Sequence, residues 1–469
     1  MSIGTHSVGR RFQSRRVKAV AAPDNRLAHV DQALFLGLRA TGQAAVCQCL
    51  WIYEHEVDIE GLKRFHALFG HGLAGRRIEP SPLPFGRHRW VAAPGAPADL
   101  VIEEGLRPRS ELMEWADAHA SRPVDPQWGP VWHMGVQRFT DGSSAVSLVG
   151  SHCVGDGGGA CLTVFEAVTG NTRDLGYPAA DSRTRREAVR ADFRDTLRDL
   201  PEVGRTLVGA VKLAYKRRGD IKNSGAAEPA SALGPEGDRH VVVPAVAIYL
   251  DGAEWDTRAS SLGGNSYSLV AGFAARLGER MGRRSTVDGT VPLTVPINDR
   301  SLEDTRANAV LLANIRVDPD GVTSDLSAAR AALRQGLKTV KEVPDETMAL
   351  LPLTPFLPKR AVKRTADLAF GFSTDLPVFC SNLGELPAEI SRVDGTAAEH
   401  LVLRGVDQFV PLRVLEQRHG LLTVITARVG AKLSIAVIGY QPGVENTKSR
   451  LREIVAETLG EFGLDGAIE

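Results

Sequence analysis

The sequence predicts an α/β protein of two domains or a pair of similar halves, in each of which strands and helices recur. Three observations point there. Apolar strand-like runs alternate with helix-like segments along the chain. The alternation stops at residues 219–237, rich in Gly, Ala, Ser and Pro and poor in apolar residues, and then restarts. The length, 469 residues, exceeds what one ordinary core serves. The expected organisation is therefore a flexible basic arm over 1–26, a first half over 27–218, a crossover linker over 219–237 and a second half over 238–469.

Taken in order, residues 27–42 read as a short helix and turn, and Ala44 to Tyr53 as a buried strand. Asp58 is a good N-cap for a helix from Ile59 to Phe69 with Leu62, Phe65, His66 and Phe69 along one side. Gly70 to Gly75 matches GxGxxG but follows a helix, and a dinucleotide site needs a strand before it, so that reading is rejected. Val131 to Arg138 and a run from about Ser143 form a hairpin about Asp141-Gly142. From Asp181 to about Arg218 mixed charges recur at i, i+4 spacing, the pattern of a solvated helix face. Its later part, Leu207 to Tyr215 followed by Lys216-Arg217-Arg218, is basic and amphipathic, suited either to packing across the halves or to a membrane surface.

In the second half, Arg239 to Leu250 reopens strand structure and Ser266 to Met281 is helical. Thr290 to Ile297 and Leu311 to Val317 are strands, and Asp325 to Val340 a helix. Leu350 to Arg364 reads as a loop and amphipathic helix over an opening, or as a plain packed helix. Pro377 to Gly384 is an apolar run ending in polar groups, and strands at 401–404, 421–428 and 432–439 precede a closing helix from Glu445 to Phe462.

Composition narrows the function classes. Lys+Arg and Asp+Glu are equal at 56 each, so no global field attracts nucleic acid. The five cysteines, Cys47, Cys49, Cys153, Cys161 and Cys380, show no metal-knuckle spacing and suit a reducing cytoplasmic setting. Cys47 and Cys49 share one strand face and read as core. No apolar run approaches the ~18 residues of a spanning helix. Gly9 to Lys18 carries twin arginines without a hydrophobic region behind them, so it reads as an arm, with contact to anionic lipid as the alternative.

The chemistry gathers in Val146 to Gly159. With a period of two, Val146, Leu148, Gly150 and His152 share a strand face, and the strand ends at His152, where glycines begin. An imidazole displayed at a strand end, with Asp156 close by, suits a general base and its orienting carboxylate; His-x-x-x-Asp-Gly also arises by chance in a chain with 12 His and 47 Gly. Cys153 falls on the opposite face from His152, so it does not read as a nucleophile.

His152-Cys153-Val154-Gly155-Asp156-Gly157 resembles the HxxxDG signature of acyltransferases with the chloramphenicol-acetyltransferase fold. These include nonribosomal peptide condensation domains and bacterial wax ester synthase/diacylglycerol acyltransferases. The likeness to the second group extends over Leu27 to Leu36, Pro130-Val131-Trp132, and Val295 to Arg300 followed by Asn308, in order along residues 27–465. The sequence departs from the family pattern at Ser151, where a first histidine is common, at Asn265-Ser266, and at Ser381 to Pro387.

The resemblance implies two similar chloramphenicol-acetyltransferase-like subdomains, each a mixed sheet covered by helices, that form a pseudo-dimer with a central tunnel. It implies transfer from acyl-CoA, as a substrate and with no bound cofactor or metal, to a long-chain alcohol, diacylglycerol or metabolite alcohol, with peripheral lipid contact as a further partner. His152 would be the base, and Asp156 would pair with an arginine, for which Arg300 is chosen over an ordinary surface reading. Gly157 would leave room for the thioester. Ser381 and Asn382 would offer hydrogens to the oxyanion or acceptor, or simply close a strand-end turn. Asn265 and Ser266 would bind substrate or cap a helix. The alternatives are a condensation-type enzyme taking its acyl group from a carrier protein, and a non-catalytic relative.

Overall fold

The computed structural model describes residues 23–223, 234–343, 348–358, 361–362 and 376–469. The arm up to residue 22, residues 224–233 of the expected linker, and 359–360 and 363–364 of the expected amphipathic segment lie outside the described residues. The first half runs α1 (His29–Thr41), β1 (Ala44–Tyr53), α2 (Ile59–Phe69), β2 (Arg76–Glu79), β3 (Arg89–Ala92), β4 (Val101–Arg107), α3 (Leu112–Ala120), β5 (Trp132–Phe139), β6 (Ser144–Ser151), α4 (Gly157–Val168) and α5 (Arg185–Asn223). The second runs β7 (Ala245–Asp251), α6 (Gly252–Ser261), α7 (Ser266–Arg280), β8 (Val291–Asn298), β9 (Val310–Val317), α8 (Ser327–Glu342), β10 (Val378–Leu386), β11 (His400–Gln408), β12 (Leu421–Val429), β13 (Lys432–Tyr440) and β14 (Ala467–Ile468), with a helix over Lys448–Glu461.

Local chemistry sets the element ends. Asp58 caps α2 by accepting from the Glu60 amide at 3.0 Å. Thr184 and Glu187 bond reciprocally to start α5, whose last turns enter the segment expected as linker. Gly142, at φ +87°, makes the β5–β6 turn without the strain a side chain would bring. The segment Met348–Phe356 is a 3-10 stretch, since Pro352 and Pro355 lack the amide protons an α-helix needs.

Strand order in the first sheet is β11-β1-β6-β5-β4, and in the second β14-β7-β13-β12-β10-β8-β9. β10 is parallel to both β8 and β12, which makes the second sheet mixed. One placement differs from the sequence expectation: β11, assigned to the second half, lies in the first sheet, antiparallel to β1 from Ala44↔Gln408 to Ile52↔His400. Most of β1 is buried, so its second edge would leave amide groups unpaired inside the protein, and β11 satisfies them. The two sheets meet through Leu50, Ile52 and Val402 against Ala247, Ala436 and Ile438.

Candidate functional site

His152 follows β6 directly. β1 and β6 pair with Val46 opposite Ser151, and the His152 amide donates to the Ala45 carbonyl at 3.0 Å. The His152 carbonyl accepts from Asn308 Nδ2 at 3.2 Å. Asn308 is itself fixed by Asp31 of α1, whose fully buried carboxylate accepts from the Ala307 amide at 2.9 Å, the Asn308 amide at 2.9 Å and Asn308 Nδ2 at 3.0 Å. Burial pushes the Asp31 carboxyl up, and these donors oppose it. A chain of contacts thus runs from the first helix, through a loop of the second half, to the turn that displays the imidazole.

Asp156 starts α4: its Oδ1 accepts from the Gly159 amide at 2.7 Å, which is why the helix begins at Gly157, within the run of glycines. Its Oδ2 accepts from the Ala309 amide at 2.7 Å. Arg300 Nη2 donates to both oxygens, at 3.1 and 3.0 Å, and also to the Ala307 carbonyl, while Nη1 donates to the Arg306 carbonyl. Both side chains of the pair are 4% exposed. A carboxylate has about four acceptor positions, and these contacts occupy them, so Asp156 holds the turn. It reaches His152 only through its field.

Arg76 does similar work and was missed by sequence reasoning. It is fully buried, stacks over Trp90 at 3.9 Å, donates to the Val154 carbonyl at 3.0 Å and also to the Thr305 carbonyl. Burial pulls its pKa down to about 10. Nothing in Arg76-Arg77-Ile78 marks it out, because its partners are main-chain groups of two distant loops.

Two groups beside His152 were also not foreseen. Cys47, read from the sequence as core, is only partly buried, while the other four cysteines are buried. On β1 it sits in register between Gly150 and Gly405, so neither cross-strand partner has a side chain to cover it. Its thiol donates to the Gly155 carbonyl at 3.8 Å and lies beside the imidazole. Asp407 of β11 pairs with Ala45, on the other side of β1 from His152. Burial raises its carboxyl, while Arg418 and then His152 pull it back.

Cys47 also lines a cavity of about 50 Å³, walled by Cys49, Phe69, Leu73, Trp132, Leu148 and Val154 and floored by the glycines of the His152 turn. Its lining is predominantly apolar, as an acyl chain requires.

β10 brings the second half to this turn. A Cβ on Gly157 would stand 3.3 Å from Leu383, so glycine permits the close approach of the halves here; the first neighbour that a side chain would meet is Leu383. Ser381 and Asn382 precede it on the same strand, and Asn382 Oδ1 accepts from the Gly384 amide at 2.8 Å. Asn265 caps α7 in a reciprocal pair with Ser268, and Ser266 Oγ accepts from Trp255 Nε1 at 3.0 Å. Those polar atoms are engaged in starting the helix.

No protein-family model and no curated protein matches the chain. Solved structures do. The first condensation domain of the calcium-dependent antibiotic synthetase, in complex with substrate analogue 2a, aligns over 94% of this chain and 97% of its own, with TM-score 0.55 and 17% identity. The chain has the condensation-domain fold. The wax ester synthase/diacylglycerol acyltransferase from Marinobacter aquaeolei VT8 aligns over 93% of this chain and 98% of its own, with TM-score 0.53 and 14% identity. At such identities the likeness carries the fold, and the chemistry has to be argued from this condensation-fold chain's own residues.

Proposed function

We propose that this chain is an acyltransferase that moves an acyl group from an acyl thioester to an acceptor, with His152 as general base. The observation that supports it best is one imidazole held at a strand end by the Asp31–Asn308 and Asp156–Arg300 contacts, beside an apolar cavity. The donor is acyl-CoA, and the acceptor an alcohol: a long-chain alcohol, a diacylglycerol or a metabolite hydroxyl.

In this reading His152 takes the hydroxyl proton as the oxygen attacks the thioester carbonyl. Negative charge gathers on the carbonyl oxygen, for which Ser381 Oγ is the proposed donor; Asn382, next to it on β10, faces the other side of the strand. The tetrahedral centre then expels the thiolate, which receives the proton back from the imidazolium. The apolar wall of Phe69, Trp132 and Leu148 keeps water from competing for the acyl group.

The test is release of free thiol from acyl-CoA of graded length in the presence of an alcohol, with wild type and His152→Ala compared. Thiol release from a carrier-protein-bound donor alone selects the condensation-type reading. No acyl transfer from either donor points to a non-catalytic relative.

A pH dependence follows. Burial of the His152 ring disfavours the imidazolium; the Cys47 side chain and then Asp156 favour it by more, and the net carries His152 up to about 10. kcat/KM should climb with pH through the neutral range as the imidazole loses its proton. Cys47→Ala removes the largest upward influence and should move that climb to lower pH; an unmoved profile would detach Cys47 from the base. For folding the sign is opposite. The folded state keeps a proton that the unfolded chain releases near 6.5, so this contribution to stability is complete below 6.5 and is lost as pH rises to about 10. Thermal midpoints of wild type and His152→Ala should converge across that window.

A further inference from the structure

Helix α5 spans 39 residues, and its two sides differ in kind. One side ties it to the protein. Asp192 accepts from Arg183 at 2.7 Å and from Ser81 Oγ at 2.6 Å, and Asp199 pairs with Arg26 at 3.2 Å and Arg87 at 3.6 Å. The other side carries Val189, Phe193, Leu197, Leu200, Leu207 and Val211. These recur at spacings of three, four and seven, which at 3.6 residues per turn confines them to an arc of about 100°. Each of the six is between 37% and 56% exposed. The stripe is about 33 Å long at 1.5 Å per residue. Single exposed apolar residues are ordinary, but six on one face over this length, interrupted only at Pro201 to Thr206, mark a surface that something covers.

Charge indicates the occupant. Arg205 and Lys212 border the stripe in its later turns, and no acid lies between Glu202 and Asp220. Arg190 and Arg194 border the stripe in its earlier turns. An apolar arc bordered by cations is the composition of a helix lying in the plane of a bilayer interface, with its apolar residues at the acyl boundary and its cations near headgroup phosphates. No described helix is long and apolar enough to cross a membrane, so the contact would be one of lying on the surface. We propose that the exposed face of α5 docks on an anionic lipid bilayer. The inference is independent of the chemistry at His152, because its readout is binding.

The test is flotation of the purified full-length chain with vesicles of phosphatidylglycerol and phosphatidylcholine, and with phosphatidylcholine alone. The chain should float with the anionic vesicles and far less with the neutral ones. Leu207→Glu combined with Val211→Glu should reduce the bound fraction at least about tenfold, since two charges replace apolar contacts at the interface. Both positions are more than half exposed, so the thermal midpoint of the variant should match wild type. The proposal is overturned if wild type floats with neither vesicle, if it binds both alike, or if the variant floats as well as wild type. It is also overturned if light scattering shows a lipid-free dimer that the variant splits, because a second copy would then be what covers the stripe.

Discussion

His152→Ala should lower acyl transfer by roughly 10²–10⁴-fold, equivalent to ~3–5 kcal/mol of barrier, the usual loss with a general base. The fold should survive, because the main chain of His152 makes the bonds that hold the turn: its amide to Ala45 and its carbonyl from Asn308. Alanine keeps both. Thiol-release rates measured beside a thermal melt separate the two effects. A folded variant that turns over at near wild-type rate would remove His152 from the chemistry. The direction of any remaining activity with pH is also informative, since a rate that no longer climbs through the neutral range has lost the titrating imidazole.

Asp156→Asn carries the largest expected effect on stability. Asp156 and Arg300 are almost wholly buried, and the Asp156 carboxylate also accepts two main-chain amides. Removing one charge from a buried pair costs about 3–5 kcal/mol, chiefly because the other charge stays buried without its partner. The introduced amide nitrogen would also face donors. The expected result is a lowered melting temperature together with lowered activity, because the same contacts hold the turn bearing His152. Pairing the change with Arg300→Ala should cost less than the sum of the single variants, as residues in one network are coupled. An unchanged melting temperature with lost activity would instead make Asp156 a direct participant in proton transfer.

The sequence by itself determined the features that lie within one segment. The His152 strand, the Asp141-Gly142 turn, the Asp58 cap and the fold class were legible, because alternation, helical period and capping are set by residues a few positions apart. The choice of Arg300 opposite Asp156 came through a family motif, and the structure brings the two together. Only the tertiary structure decided the rest. That β11 crosses into the first sheet, that Cys47 faces the imidazole between two glycines, that Asp407 lies across Ala45 from it, and that Arg76 braces two loops all depend on pairings between residues as much as 364 positions apart. Period-two alternation placed Cys47 and Cys49 on one face but could not say which strand lay beside it. Such pairings are chosen by the summed packing and hydrogen bonding of the whole chain, and no local pattern encodes the partner.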